Sequence, residues 1–454
     1  MSVLFAVPLV LLFVLPAAYS SDPVVDLPMG RIRGMRNTVI GKELEVFLGI
    51  PYAKPPLRNL RYKKPVSIES YKDDIVAKTL PKTCFQVNPF EKDGAEYYKK
   101  KKNTEPKSVL VWIYGGGFTM GSTADPRYNG QVIAAHGQVI VASINYRVGA
   151  MGFLNGVNKE EPGNLGLYDQ TMALRWIRNN IAYFGGNPEK VTIFGESAGG
   201  FSVGFHLTSP FSKGLFKSGI LQSGVANSPP YYYNQKDSEQ TTKDFITRAN
   251  CTGPSADFRK DIVQILKCLR SKTPEELSKA EYQVTPFVIP KNIHTQDFIV
   301  GMTTEEGSGF THDFFHDFSE SNNVTKSEAY SLLVPFLKNV GKVHEPTEKV
   351  NYYFRQVLEN DVSSVKRAVA DLLTDWMFRC PSYEFSEVLA KRQSQVYFYL
   401  FNHVPESIQN DPDRRWMGSR HFSDVQYVFG HPFLQDVLEY KTNYTKAEKK
   451  FSLK

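Results

Sequence analysis

The residue of this chain best placed for nucleophilic chemistry is a serine in a strand–turn–helix motif. The segment Val191–Phe194 is rich in β-branched and apolar residues and runs directly into Gly-x-Ser-x-Gly, centred on Ser197. This pattern is typical of a sharp turn that exposes a serine hydroxyl at its apex. Side chains at Gly195 or Gly199 would obstruct so tight a turn. The motif therefore predicts covalent catalysis with a serine nucleophile.

A run of three glycines, Gly115–Gly117, follows a second strand-like segment at Val109–Tyr114. Glycines at the end of a strand leave backbone N–H groups accessible, and acyl transfer needs such donors to stabilise an oxyanion. Alone, the run would be interpreted as a flexible turn. Because a nucleophile motif follows it, we interpret it as part of an oxyanion hole.

A serine nucleophile needs a general base, and the base needs an acid that orients it. Hydrolases with this serine motif carry the three residues in the order serine, acid, histidine. His421 lies in a loop before a strongly apolar run, whereas His206 falls on the helix after the motif and is interpreted as a core residue. The acid is expected after the predicted strand Phe298–Val300, where Glu305 and Glu306 are both candidates.

These motifs resemble those of the type-B carboxylesterase and cholinesterase family of α/β hydrolases. The matching blocks are Phe47–Pro56, Val111–Phe118, Asn145–Gly149, Pro162–Gln170, Gly195–Gly200 and His421–Gly430. The match is almost continuous from residue 110 to 225, and the last block is most similar to the bile-salt-activated (carboxyl ester) lipase branch. The resemblance implies an α/β-hydrolase fold, with a mostly parallel central sheet and helices on both faces.

The resemblance also assigns roles to individual residues. It implies Ser197 as nucleophile, His421 as base and Glu306, rather than Glu305, as acid. The implied oxyanion donors are Gly116, Gly117 and Ala198, and the implied surrounding polar residues are Glu196, Ser223 and Asp424. The expected reaction is hydrolysis of lipid-like or small apolar esters through an acyl-enzyme. No cofactor is expected, because the sequence contains no metal-ligand set or phosphate-binding loop.

Strand-like apolar runs alternate with helical stretches along the chain, as expected for a parallel or mixed sheet covered by helices. The runs are at 109–114, 139–145, 191–194, 218–222, 298–302 and 395–401. The three predicted catalytic residues must converge although they are far apart in sequence. We therefore expect residues 21–454 to form one α/β-hydrolase domain.

This domain is expected to be incomplete relative to the family. Between Cys84 and Val109 we recognise no strand-like run, so we expect the sheet to lack a strand. The loop that carries the choline-binding tryptophan of cholinesterases is expected to be missing there too. The chain is also short between Cys268 and Phe298 and is expected to lack the closing C-terminal helices.

The remaining cysteines and the N-terminus suggest a secreted protein. Cys251 and Cys268 match a family disulfide, whose loop would contribute roughly 3 kcal/mol of stability. Cys84 and Cys380 match half-cystines whose usual partners this chain does not contain. Residues 1–20 are apolar and predict a signal peptide. Glycosylation sequons begin at Asn250, Asn323 and Asn443.

The charge balance adds little about partners. There are 54 basic and 47 acidic residues, and the only strong basic run is Lys99–Lys102. Most such runs are solvated loops, so we expect at most a weak contact with an anionic surface or a bile salt, and no nucleic-acid partner. The sequence does not predict the oligomeric state.

Two alternatives to an active esterase stay open. The chain could be a binding or adhesion protein on the same fold, similar to the neuroligins, although binding relatives usually lose a catalytic residue. It could also be a truncated isoform that folds poorly.

Overall fold

A large central sheet organises the protein, which is seen here as a computed structural model. The structure describes residues 22–81, 83–84, 86, 96–100, 105–155, 162–229, 235–255, 258–280, 296–314, 324–410, 415–436, 438 and 442–454. The predicted signal peptide and the sequon at Asn323 lie outside the described residues.

Twelve strands occur in the described part of the chain, in one sheet of nine strands and one of three. They are β1 (Val24–Leu27), β2 (Gly30–Arg33), β3 (Met35–Val39), β4 (Lys42–Leu48), β5 (Ile75–Val76), β6 (Glu96–Lys100), β7 (Lys107–Ile113), β8 (Ile140–Ile144), β9 (Gly186–Glu196), β10 (Ser218–Gln222), β11 (Asp297–Thr303) and β12 (Val396–Phe401). The large sheet has the order β12-β11-β10-β9-β7-β8-β6-β4-β3, and the small one β1-β2-β5. Neighbours from β12 to β8 are parallel, and those from β8 to β3 are antiparallel.

Helices surround the large sheet. They are α1 (Gln131–Gly137), α2 (Gly149–Phe153), α3 (Leu165–Asn180), α4 (Ala198–Thr208), α5 (Gln235–Arg248), α6 (Ile262–Ser271), α7 (Pro274–Ala280), α8 (Glu306–Phe314), α9 (Lys326–Asn339), α10 (Pro346–Phe354), α11 (Val362–Thr374), α12 (Cys380–Lys391), α13 (Glu406–Gln409), α14 (Val425–Val428) and α15 (Lys446–Ser452). A π-helical segment, Asp375–Arg379, joins α11 to α12. None of the helices in the described residues is long and apolar enough to cross a lipid bilayer.

The parallel strands confirm the predicted α/β architecture. All six apolar runs of the sequence are strands, β7 to β12. Most side chains on β7 to β11 are buried because a parallel sheet is covered on both faces, and this produces continuous apolar runs. β12 lies at the edge of the sheet, and none of its residues is fully buried. Trp112 on β7 is fully buried and packs against Phe194 on β9 and against Phe429, which follows α14. The core therefore extends from the centre of the sheet to the segment that follows His421.

The expectation that the sheet lacks a strand before β7 is wrong. β6 lies between β4 and β8, and Tyr97 pairs with Phe47 on one side and with Ala142 on the other. Its sequence, Glu-Tyr-Tyr-Lys-Lys, has neither an apolar run nor strict alternation, so a search by hydrophobic period overlooks it. Tyrosine nevertheless has a high strand propensity. Lys99 and Lys100, from the predicted solvated run, belong to this strand.

A disulfide joins Cys251, just after α5, to Cys268 on α6, as the resemblance implied. Cys84 and Cys380 are free in the structure. The asparagines of the two described sequons, Asn250 and Asn443, are exposed. Their glycosylation stays a prediction.

Candidate active site

Ser197 lies in the turn between β9 and α4, with φ +56° and ψ −123°. Such a backbone conformation is costly for a residue with a side chain and is concentrated at functional sites. The flanking glycines are sterically required. A Cβ atom at Gly199 would lie 1.9 Å from the carbonyl oxygen of Ile113, and one at Gly195 would lie 2.5 Å from the backbone of Gly199. Close packing of this turn against the end of β7 therefore requires glycine at both positions.

The predicted oxyanion loop runs beside the turn that carries Ser197. Gly116 and Gly117 both have positive φ, at +107° and +60°. A Cβ atom added to Gly115 would lie 3.0 Å from the Cβ atom of Ser197, so the glycine run passes next to the predicted nucleophile. Ala198 is the first residue of α4. The N–H groups at the start of a helix have no partner within the helix and favour negative charge.

The structure brings His421 and Glu306 together. His421 Nδ1 is 2.5 Å from Glu306 Oε2. The other carboxylate oxygen, Oε1, accepts hydrogen bonds from the hydroxyl of Ser223 at 2.6 Å and from the backbone N–H of Thr303 at 2.7 Å. Glu306 is completely buried at the start of α8. A carboxylate with three such partners is well oriented to hold an imidazole in one position.

Glu305 points elsewhere. Its side chain accepts a hydrogen bond from the backbone N–H of Ser419 at 2.8 Å and contacts the hydroxyl of Thr304. Of the two neighbouring glutamates, Glu306 is the one that meets His421.

Two phenylalanine rings hold the imidazole of His421. The ring centroid of Phe310 is 4.8 Å away and that of Phe378 is 4.9 Å away. Phe378 belongs to the π-helical segment, and such segments are frequent at functional sites. Sequence reasoning missed both residues. Phe310 had a usable signal, since it lies four residues after Glu306 on α8 and positions i and i+4 share a helix face.

The second imidazole nitrogen of His421 faces Glu196. The Nε2 atom is 3.0 Å from Glu196 Oε1, and among the described residues no side-chain hydrogen bond joins His421 to Ser197. Burial alone lowers the pKa of His421, but the charges of Glu196 and Glu306 outweigh it and raise this pKa to about 10. Burial raises the pKa of Glu196 as well. The resting arrangement is thus an imidazole held between two carboxylates, and catalytic hydrogen bonds often align only with substrate bound.

Asp424 lies in the same buried network. It accepts hydrogen bonds from the side-chain amide of Gln222 at 2.9 Å and from the hydroxyl of Tyr399 at 2.7 Å. Burial raises the pKa of Asp424. Tyr399 pairs with Gly301 across β11 and β12, and a Cβ atom at Gly301 would lie 1.8 Å from the tyrosine ring. Sequence reasoning missed Gln222 and Tyr399, although a glycine inside a strand signals close approach of another group.

His206 is a core residue, as predicted. Its ring nitrogens lie 2.8 Å from Ser212 Oγ and 2.8 Å from Gln170 Oε1. Burial lowers the pKa of His206 to about 4. No group of three or more metal-ligating side chains occurs in the described segments.

Comparison with known proteins identifies the family. Residues 21–454 match the carboxylesterase family. A cholinesterase from Mus musculus is 35% identical over 480 residues, covering 95% of this chain and 77% of that protein. Acetylcholinesterase-1 from Trittame loki is 32% identical, covering 95% of this chain and 84% of that protein. An acetylcholinesterase from Leptinotarsa decemlineata is 32% identical, with coverages of 96% and 78%.

These matches extend over almost the whole chain and agree with the α/β sheet described above. The expected similarity to the bile-salt-activated lipase branch stays a prediction. The chain belongs to the carboxylesterase family (type B) and is a carboxylic ester hydrolase that acts on small esters.

Proposed function

We propose that Ser197, His421 and Glu306 form the catalytic triad of this esterase. The observation that carries the proposal is the 2.5 Å contact between His421 Nδ1 and Glu306 Oε2. It is supported by the strained backbone of Ser197 and by the 3.0 Å contact of His421 Nε2 with Glu196, the residue before the serine. Both contacts support a largely buried site in which the nucleophile, base and acid are close together.

In the proposed reaction, His421 Nε2 takes the hydroxyl proton of Ser197 while the serine oxygen attacks the ester carbonyl carbon. The tetrahedral intermediate collapses, and His421 gives the proton to the departing alcohol. Water then attacks the acyl-enzyme with the same histidine as base, which releases the acid and restores Ser197. Glu306 orients the imidazole and stabilises the imidazolium.

The oxyanion of each tetrahedral intermediate accepts hydrogen bonds from the backbone N–H groups of Gly116, Gly117 and Ala198. These three groups belong to the glycine run beside Ser197 and to the start of α4. Loss of one such donor costs other enzymes about 3–4 kcal/mol of activation free energy.

We propose that the substrates are small apolar or lipid-like esters and that the protein is secreted. The aromatic rings of Phe310 and Phe378 that flank His421 favour an apolar acyl or alcohol group. The apolar N-terminus, the disulfide and the exposed Asn250 and Asn443 favour the secretory pathway.

A second candidate substrate class is choline esters, which the similarity to cholinesterases favours. The short segment after Cys84, where cholinesterases carry a choline-binding tryptophan, argues against it. The two classes are separated by p-nitrophenyl butyrate and butyrylthiocholine, which carry the same acyl group. We expect a higher kcat/KM for the aryl ester; a large preference for the choline ester would reverse the assignment.

The triad itself is tested by Ser197→Ala. We expect turnover of p-nitrophenyl butyrate to be lost. Ser228→Ala alters a buried serine whose hydroxyl accepts from the backbone N–H of Val225, and it should keep turnover. No turnover from a wild-type chain that melts cooperatively would favour the binding or adhesion role. Failure of the chain to leave secreting cells or to melt cooperatively would favour the truncated isoform.

A further inference from the structure

A cavity separate from the predicted active site lies between the first turns of α3 and the end of α4. Its volume is about 210 Å³. The α3 wall comprises Asn164, Leu167, Tyr168 and Thr171, and the opposite wall comprises residues 205, 206 and 208–211. None of these residues belongs to the proposed triad, oxyanion hole or surrounding carboxylates.

The floor of the cavity is buried and its polar groups already have partners. Phe205, His206, Thr171 and Thr208 are all at most 5% exposed. Both nitrogens of His206 are engaged, and the hydroxyls of Thr171 and Thr208 donate to backbone carbonyls. The lining therefore combines aromatic and aliphatic side chains with polar ones, among them Asn164 and Ser209, and suits a ligand with an apolar body and a polar group.

The size of the cavity limits that body to one ring or a short chain. A cavity of about 150 Å³ lined by apolar side chains is enough to bind benzene, whereas sites for drug-sized molecules occupy about 300–1,000 Å³. The aromatic rings of Tyr168 and Phe211, whose centroids are 5.7 Å apart, stand at the more exposed side. The two rings are tilted by 55° relative to each other, so a planar ligand ring can lie flat against one of them.

The mouth of the cavity carries positive charge. Lys64 Nζ lies 4.7 Å from the ring centroid of Tyr168, and Arg175 donates a 3.2 Å hydrogen bond to the backbone carbonyl of Phe211. Neither cation forms an ion pair with a carboxylate in the described part of the chain, and no Asp or Glu lines the cavity. An anionic group at the mouth would be attracted by both side chains.

We propose that this cavity binds a small apolar carboxylate, with the aryl or short alkyl group inside and the carboxylate at the mouth beside Lys64 and Arg175. The site does not depend on the assignment of Ser197. It does lie next to the oxyanion loop, because Phe205 stacks on Phe118 at 6.2 Å between ring centroids and Phe118 follows Gly117. Ligand binding in the cavity can therefore affect Phe118, the residue next to the proposed oxyanion donor Gly117.

The proposal is tested by isothermal titration of benzoate into the full chain, with benzamide as a neutral ligand of the same shape. We expect saturable binding of benzoate and weaker binding of benzamide. Leu167→Trp, which fills the cavity, should abolish benzoate binding. The charge-removing pair Lys64→Gln and Arg175→Gln should weaken it about two- to fivefold per cation, while Lys63→Gln, the neighbouring lysine, should not change it.

Benzoate binding that survives Leu167→Trp would place the ligand elsewhere, including the active site, and would overturn the proposal. Equal binding of benzamide, or no effect of the charge-removing pair, would overturn the assignment of an anion. A thermal melt of each variant shows whether it folds. Lys64 and Arg175 are exposed, so the charge-removing pair should fold and keeps the test valid even if Leu167→Trp does not.

Discussion

The side-chain amide of Gln222 donates a 2.9 Å hydrogen bond to Asp424, while its backbone carbonyl accepts one of 2.9 Å from the N–H of Ser197. One residue at the end of β10 thus connects the serine turn to the loop that carries His421. The next residue, Ser223, donates to Glu306. The end of β10 therefore positions all three segments of the proposed triad.

Gln222→Leu should lower both stability and activity. The substitution removes a hydrogen-bond donor from the buried carboxylate of Asp424, which should reduce the free energy of unfolding by about 1–3 kcal/mol. Urea unfolding measures that loss, and kcat/KM per folded molecule measures the effect on the site. Gln170→Leu, another buried glutamine with side-chain partners, should lose stability but keep kcat/KM. An unchanged free energy of unfolding in Gln222→Leu would contradict this role.

Ser223→Ala should slow the reaction without preventing folding. The hydroxyl donates to a charged carboxylate, and such a hydrogen bond contributes about 1.5–3 kcal/mol. If that free energy is used to orient Glu306, kcat should fall roughly 10- to 100-fold. Ser228→Ala removes another buried hydroxyl, one that accepts from the N–H of Val225, and should leave kcat unchanged. Equal kcat values for the two variants would exclude the orienting role.

Glu196→Gln should move the pH dependence of the reaction to lower pH. General-base catalysis requires neutral imidazole, and the pKa of His421 is raised to about 10 because two carboxylates outweigh the effect of burial. In the wild type, kcat/KM should therefore increase with pH toward that value. Removing the charge of Glu196 lowers the pKa of His421, so the rising limb of the profile should shift to lower pH.

The profile is measured with an ester whose own ionisation does not change over the range. Glu189→Gln, which removes a carboxylate from the exposed surface, should leave the rising limb where the wild type has it. A limb that stays in place or moves to higher pH in Glu196→Gln would disprove the electrostatic role.

His206 should make the fold sensitive to mild acid. Burial lowers the pKa of His206 from 6.5 to about 4, so between these values the unfolded chain binds more protons than the folded one. Stability should therefore fall as the pH drops below about 6.5, and this residue accounts for about 3 kcal/mol of the loss by pH 4.

Urea unfolding of His206→Gln at pH 7 and pH 4 should show a loss smaller by that amount. His431 is also buried with a lowered pKa, so the difference from the wild type, rather than the absolute curve, is the quantity of interest. His136→Gln alters an exposed histidine and should follow the wild type. Parallel pH dependence of His206→Gln and the wild type would contradict the prediction.

Local sequence was sufficient to predict the elements whose own residue pattern reflects their burial or backbone geometry. The parallel strands β7 to β11 have apolar runs because most of their side chains are buried in a sheet covered on both faces. In the serine turn, a Cβ atom added to Gly195 or Gly199 would lie within 2.6 Å of neighbouring backbone atoms, so glycine is required there. β6 was missed because its Glu-Tyr-Tyr-Lys-Lys sequence is polar and its place is set by pairing with β4 and β8.

The contacts that orient the site depend on tertiary structure. Phe378 reaches His421 from a π-helical segment 43 residues earlier in the chain, and Tyr399 reaches Asp424 across a space that Gly301 leaves open. Neither contact could be predicted from a local sequence pattern. Family resemblance supplied the choice of Glu306 over Glu305, which spacing alone left open.

The most direct test of the central claim is covalent labelling of the nucleophile with diethyl p-nitrophenyl phosphate. The serine oxygen attacks phosphorus and expels p-nitrophenolate, leaving a stable diethylphosphoryl serine. We predict one equivalent of p-nitrophenolate per active chain, and peptide mass spectrometry should place the adduct on Ser197. Ser197→Ala should release none. An adduct on another residue, or no adduct on a cooperatively folded chain, would contradict the proposed mechanism.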